Sequence, residues 1–197
     1  MPHDDRIITR ADIMDLGTYE TIRPLKREEA LLRKRFRRLS VGPHVTVTFE
    51  NWDSMWLQVQ EMLRIEKGGD AQLVDELAAY NPMIPYGREL TCTLMVEIDD
   101  PVIRGRILGR LGGLEDHIFL SLAGERLSAV PESDVERSRA DGKASSVHFL
   151  HVPFSDAQVV AWRSGEGQIL FGIDHPHYGH MAVIDDAVRR ELARDFA

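Results

Sequence analysis

The chain has 197 residues, within the usual range for one domain, and 43% hydrophobic and 28% charged residues give it an ordinary globular balance. Its 24 basic against 32 acidic side chains leave a net charge of −8, which argues against wholesale coating of nucleic acid or acidic lipid. One cysteine excludes an internal disulfide framework and any cysteine-ligated cluster of its own. No apolar run is long enough to span a bilayer, and Met1-Pro2-His3-Asp4-Asp5 lacks a basic-then-apolar leader, so a cytoplasmic protein is expected.

The first seven residues read as a flexible lead-in to a single domain over 1–197. Between Arg23 and Arg38 eight cations face only Glu28 and Glu29, a local charge of +6 that leaves −14 for the rest. The segment reads as a helix beginning after Pro24, with Leu25, Leu32, Phe36 and Leu39 on one face. Its cations form either a solvated face or, through Arg33, Lys34, Arg37 and Arg38, a docking surface for an acidic partner or RNA.

A strand is expected from His44 to Phe49, then a helix capped by Asn51 and stopped by Gly68-Gly69, and a second helix from Asp70 to Tyr80. Alternation predicts a half-buried strand over Thr91–Ile98 and places Cys92 on its apolar face as a core thiol. A helix follows from Asp100-Pro101 to Gly112-Gly113. Further strands are expected at 117–122, 127–130, 147–154, 168–174 and 179–184, with helices at 155–163 and 185–196 and a mobile loop over 131–145. The mixed order favours an α+β fold around a mostly antiparallel or mixed sheet.

No phosphate-binding loop, dinucleotide fingerprint, His-Glu-x-x-His or nucleophile elbow is present. Three other places could carry chemistry. Glu61 sits between Leu57 and Ile65 on a helix whose opposite stripe is also apolar, so its carboxylate must be paired, bind a metal or take up a proton. Arg64, three residues on, is the partner at hand, and an acid in a pocket is the sharper reading. Five of eight histidines lie between 148 and 180. Strand periodicity sends His148 and His151 to opposite faces, with His148 sharing that of Leu150 and Val152. Asp174-His175-Pro176-His177 is either a capped hairpin turn or, through Asp174, His175 and His177, an oxygen-and-nitrogen site for zinc or non-haem iron. Glu50-Asn51 and Tyr80-Asn81-Pro82 do turn work or, with Arg64, line a pocket.

Val41-Gly42-Pro43, Phe49-Glu50-Asn51, the run Gln58 to Glu66, Tyr80 to Pro85, Val147 to Leu150 and Asp174-His175-Pro176 together resemble the bacterial domain-of-unknown-function family 3501. Members of that family are often encoded beside rubrerythrin-like di-iron proteins and iron–sulfur oxidoreductases. The resemblance therefore implies an accessory or interaction protein of a non-haem-iron, peroxide-related redox system, and the lack of a long apolar run adds the expectation of no membrane attachment. An enzyme using Glu61 and His148 for acid–base work beside Asp174 and His175 is the rival, and RNA binding through residues 23–38 is the third reading. The sequence leaves a homo-oligomer open.

Overall fold

The computed structural model describes residues 6–132 and 142–197. The chain opens with α1 (Leu16–Lys34), capped by Asp15, whose carboxylate accepts the Thr18 backbone N–H. β1 (Arg38–Val41) and β2 (Val45–Phe49) form a hairpin, followed by α2 (Trp52–Glu66) and α3 (Gly69–Tyr80). β3 (Glu89–Val96), α4 (Pro101–Leu108), β4 (Ile118–Leu122), β5 (Glu125–Ser128), β6 (Val130–Pro131) and β7 (Val147–Pro153) come next. α5 (Asp156–Ser164), β8 (Ile169–His175), β9 (Tyr178–Val183) and α6 (Asp186–Leu192) complete the order.

Among the described residues the strands form two antiparallel sheets, ordered β1-β2-β3-β7-β6 and β5-β4-β8-β9, which is the α+β class the sequence predicts. Alternation on β2, β3 and β7 turns Val47, Phe49, Cys92, Leu94, Leu150 and Val152 onto one face, where they share a core with Leu120, Ile169 and Phe171 of the second sheet. Phe49 meets Phe171 edge-on across this core, with ring centroids 6.0 Å apart. At one border the Tyr178 hydroxyl donates to the Val41 carbonyl (2.7 Å), tying β9 to β1. In the second sheet Gly172 lies opposite Phe119. A side chain there would collide with the Phe119 ring, on which the Arg126 guanidinium also stacks at 3.9 Å.

The other face of the first sheet is covered by helices. Tyr19 of α1 and Met55 and Trp56 of α2 form a second apolar cluster with Ile8, Met83 and Ile84, against which Phe149 of β7 packs. Every residue of β2 is consequently buried, its threonines included.

Several expectations are corrected. The first helix starts eight residues before Pro24 and carries that proline inside it. Its expected apolar face is not core: Leu25, Leu32 and Phe36 are 56%, 54% and 46% exposed. The end of the basic run is strand β1 rather than helix, because a turn at 35–37 reverses the chain. The single strand expected at 127–130 is divided at Ala129, β5 joining the second sheet and β6 the first. The helix after Asp100 ends at Leu108, short of Gly112. The loop expected at 131–145 and the flexible lead-in at 1–7 fall largely on residues 133–141 and 1–5, outside the described residues.

Candidate functional site

β2 delivers Glu50 to the helix-covered face. Phe49 points into the shared core, so the next side chain points the other way. The Glu50 N–H bonds the Thr91 carbonyl (2.8 Å), holding the residue in line with the sheet. Asn51 then starts α2 with a reciprocal cap: its side chain accepts from the Ser54 N–H and the Ser54 hydroxyl accepts from the Asn51 N–H, both at 2.9 Å. That cap aims the Ser54 hydroxyl at the Glu50 carboxyl (2.6 Å), while the Thr93 hydroxyl donates to its other oxygen (2.7 Å). Glu50 is 6% exposed. Burial pushes its pKa above the ordinary carboxyl value, against the opposing pull of the two hydroxyls, Arg37 and Lys34.

The Ser54 hydroxyl also lies 3.0 Å from the Asn51 carbonyl. An ionised Glu50 receives the Ser54 proton; a protonated Glu50 donates to Ser54, whose own proton then turns to Asn51. Both states keep their hydrogen bonds, so the carboxyl can take up and release a proton without disrupting its surroundings.

Glu50 and Glu61 line one cleft of about 380 Å³ between α1, α2 and the covered face of the first sheet. Glu61 is a half-buried ion pair, as its apolar flanks require, but its partner is not Arg64. Arg23 of α1 grips it with Nε at 2.7 Å and Nη2 at 3.0 Å, and the Tyr19 hydroxyl donates at 2.6 Å. The Arg23 hydrogen bonds hold the Glu61 carboxyl below its ordinary range, so it is ionised. Arg64 instead pairs with Glu20 at 2.6 Å.

Of the residues expected to line a pocket, Glu50, Asn51 and Tyr80 do so together. Arg64 and Asn81 lie outside that lining, and the Asn81 amide is bound in both directions to the Ile8 backbone. Arg33, Lys34 and Arg37 also border the cleft. Arg33 pairs with Asp53 at 3.3 Å, and Arg38 pairs with Glu97 at 2.8 Å. Arg37 is buried against Asp195 and the carbonyls of Phe49 and Glu50, so it is not on an exposed docking face. Arg33, Arg37 and Asn51 separate this cleft from a second hollow of about 540 Å³ reaching Trp52 and Asp195.

The histidine regions lie elsewhere. His148 is fully buried on the inward face of β7, as its register predicts, with Nε2 3.0 Å from the Ser145 carbonyl and Nδ1 3.7 Å from Glu115. His151, on the opposite face, lies 2.9 Å from both Glu89 and Glu132, and these carboxylates push its pKa up. Asp174 is held below its ordinary range chiefly by Arg126 at 2.6 Å, with His117 at 3.1 Å. His175 is buried; its Nε2 bonds the Gly112 carbonyl, its Nδ1 accepts the His177 N–H, and burial lowers its pKa. His177 faces Arg110. Among the described residues no three His, Cys, Asp or Glu side chains stand close enough to hold a metal ion. Cys92 is a fully buried core thiol whose pKa burial drives upward. None of the helices in the described residues is long and apolar enough to cross a membrane.

Sequence reasoning missed the burial of Glu50 and the role of Thr93. The signal was the Thr-x-Thr pattern of β2 and β3, which marks a strand face that is polar yet enclosed. It also missed that Gln60, on the turn next to Glu61, is wholly buried with neither amide atom bonded among the described residues.

A family described as "Protein of unknown function (DUF3501)" matches residues 7–196, and the chain belongs to that family. The crystal structure of a protein of unknown function from Burkholderia pseudomallei is similar to it, with 35% identity, a TM-score of 0.89, and coverage of 96% of this chain and 99% of that chain. No curated protein matches the chain.

Proposed function

We propose that this protein binds a small molecule in the cleft between α1, α2 and the first sheet and that Glu50 exchanges a proton with it. The observation that carries this reading is the buried Glu50 carboxyl at the cleft floor, whose Ser54 and Thr93 contacts suit it to either protonation state. A carboxyl with a pKa raised by burial is the ordinary basis of general acid–base catalysis near neutral pH. Glu61 is an ionised wall of the same cleft, fixed by Arg23 and Tyr19 rather than poised to transfer a proton. The test is retention: purified protein is equilibrated with a small-molecule extract, washed by ultrafiltration and analysed by mass spectrometry. A Trp at Ala30, on the cleft wall formed by α1, obstructs the opening. Compounds should be retained by the wild type and lost from Ala30→Trp; equal retention, or none by the wild type, overturns the reading.

A second reading, an accessory role beside a non-haem-iron redox partner, rests on the family resemblance and on one feature of α1 and the turn after it. Leu25, Leu31, Leu32 and Phe36 are each 46–67% exposed in a strongly basic segment. Paired apolar and basic surface suits an acidic protein partner. Affinity capture from the native host should recover a redox protein from the wild type and not from Leu25→Glu/Leu32→Glu.

A further inference from the structure

We infer that the occupant of the cleft is a compact organic monoanion, its charged head at Lys34 and its apolar body laid along Met55, Met95 and Phe149 towards Glu50. This inference rests on the cleft reading above and adds the class of molecule.

The charges at the cleft sort themselves by pairing. Glu61 is matched by Arg23 at 2.7 Å, Arg33 by Asp53 at 3.3 Å and Arg37 by Asp195 at 2.5 Å. Two charged groups in the lining then remain. Lys34 is exposed at the end of α1 and makes no ion pair among the described residues. Glu50 is buried and satisfied by Ser54 and Thr93 in either protonation state. An anionic head thus meets one unmatched ammonium at the rim, and Glu50 can be neutral without leaving an orphaned hydrogen-bonding group. A cationic ligand is received less well: Glu61 would have to give up Arg23, Glu50 would have to hold its charge while 6% exposed, and the basic rim would repel the approaching ligand.

Shape points the same way. The sheet side offers Met95, Val147 and Phe149 and the helix side Ala30, Met55 and Leu57, so the body of the ligand meets apolar walls. The volume of about 380 Å³ lies near the lower end of the usual range for small-molecule sites, roughly 300–1,000 Å³. It suits a single ring or a short chain. Methionines on both walls adapt to differing outlines.

Three probes of one shape and different charge test the inference: 4-phenylbutanoate, 4-phenylbutanamide and 4-phenylbutylamine, titrated calorimetrically into the full chain at fixed salt. The carboxylate should bind saturably and about tenfold more tightly than the amide, with the amine weakest. Lys34→Met, a change on an exposed helix position, should abolish the preference for the carboxylate over the amide. Amide or amine binding as tight as the carboxylate, or a preference that survives Lys34→Met, overturns the monoanion assignment and leaves the cleft reading standing. Binding by the three probes that is unchanged in Ala30→Trp overturns the cleft reading itself.

Discussion

Arg37 and Asp195, 158 positions apart in the chain, form a buried two-pronged ion pair, with guanidinium nitrogens 2.5 Å and 3.2 Å from the two carboxylate oxygens. The same guanidinium bonds the carbonyls of Phe49 and Glu50. Removing one member of such a pair strands the other charge away from water. Arg37→Ala should therefore lower stability by about 3–5 kcal/mol in urea denaturation. Asp195→Asn, which leaves Arg37 its two carbonyls, should cost less; equal losses would show that those carbonyl contacts contribute little.

Glu50 predicts a pH dependence of definite sign. Its folded pKa lies above the ordinary value of 4.5, so the folded state holds a proton that the unfolded state has lost. The contribution of Glu50 to stability therefore falls as pH rises from about 4.5 through the raised folded value. Glu50→Gln removes that slope. Thermal melts at pH 4, 6 and 8 should show the variant gaining most at pH 8, by about 1 kcal/mol, because a buried charge kept for function commonly costs stability.

His151 gives a second pH window through a different cause. Hydrogen bonds to Glu89 and Glu132 favour the imidazolium, raising the folded pKa above 6.5. The stabilisation is fully present below pH 6.5 and is lost as pH rises through the folded value. His151→Gln should flatten the decline in melting temperature above pH 6.5. A decline that persists unchanged in the variant would assign it to another group.

At Gly172 the Phe119 ring occupies the space a side chain would need. Gly172→Ala should destabilise by about 1–3 kcal/mol, as overpacking does in a filled interior. Gly172→Ala combined with Phe119→Leu should recover part of that loss, read as a higher urea midpoint than the single variant.

What the sequence disclosed depended on the range of the interaction. Asn51 as a cap, the end of the helix just before Gly68-Gly69, and the inward register of His148 are local patterns, and each appears in the fold, although the left-handed residue at the helix end is Lys67 rather than Gly68. Pro24 misled because proline usually opens a helix, whereas here Asp15 caps the helix nine residues earlier and a proline is accommodated within it. The partner of Glu61 was hidden for another reason: Arg64 is near in sequence, but α1 brings Arg23 and Tyr19 from 38 and 42 positions away. The apolar residues of α1 look like a core stripe by spacing alone. Only the tertiary arrangement shows that the helix is anchored near Tyr19 and leaves clefts beside its later turns.

The Arg37 guanidinium acts as a keystone between two stretches of chain far apart in sequence. It answers on one side to Asp195 near the last residues and on the other to the backbone that carries Glu50. A substitution that disturbs the packing of residues 193–196 should thereby shift the acidity of Glu50, because the charge of Arg37 opposes the rise that burial imposes on that carboxyl.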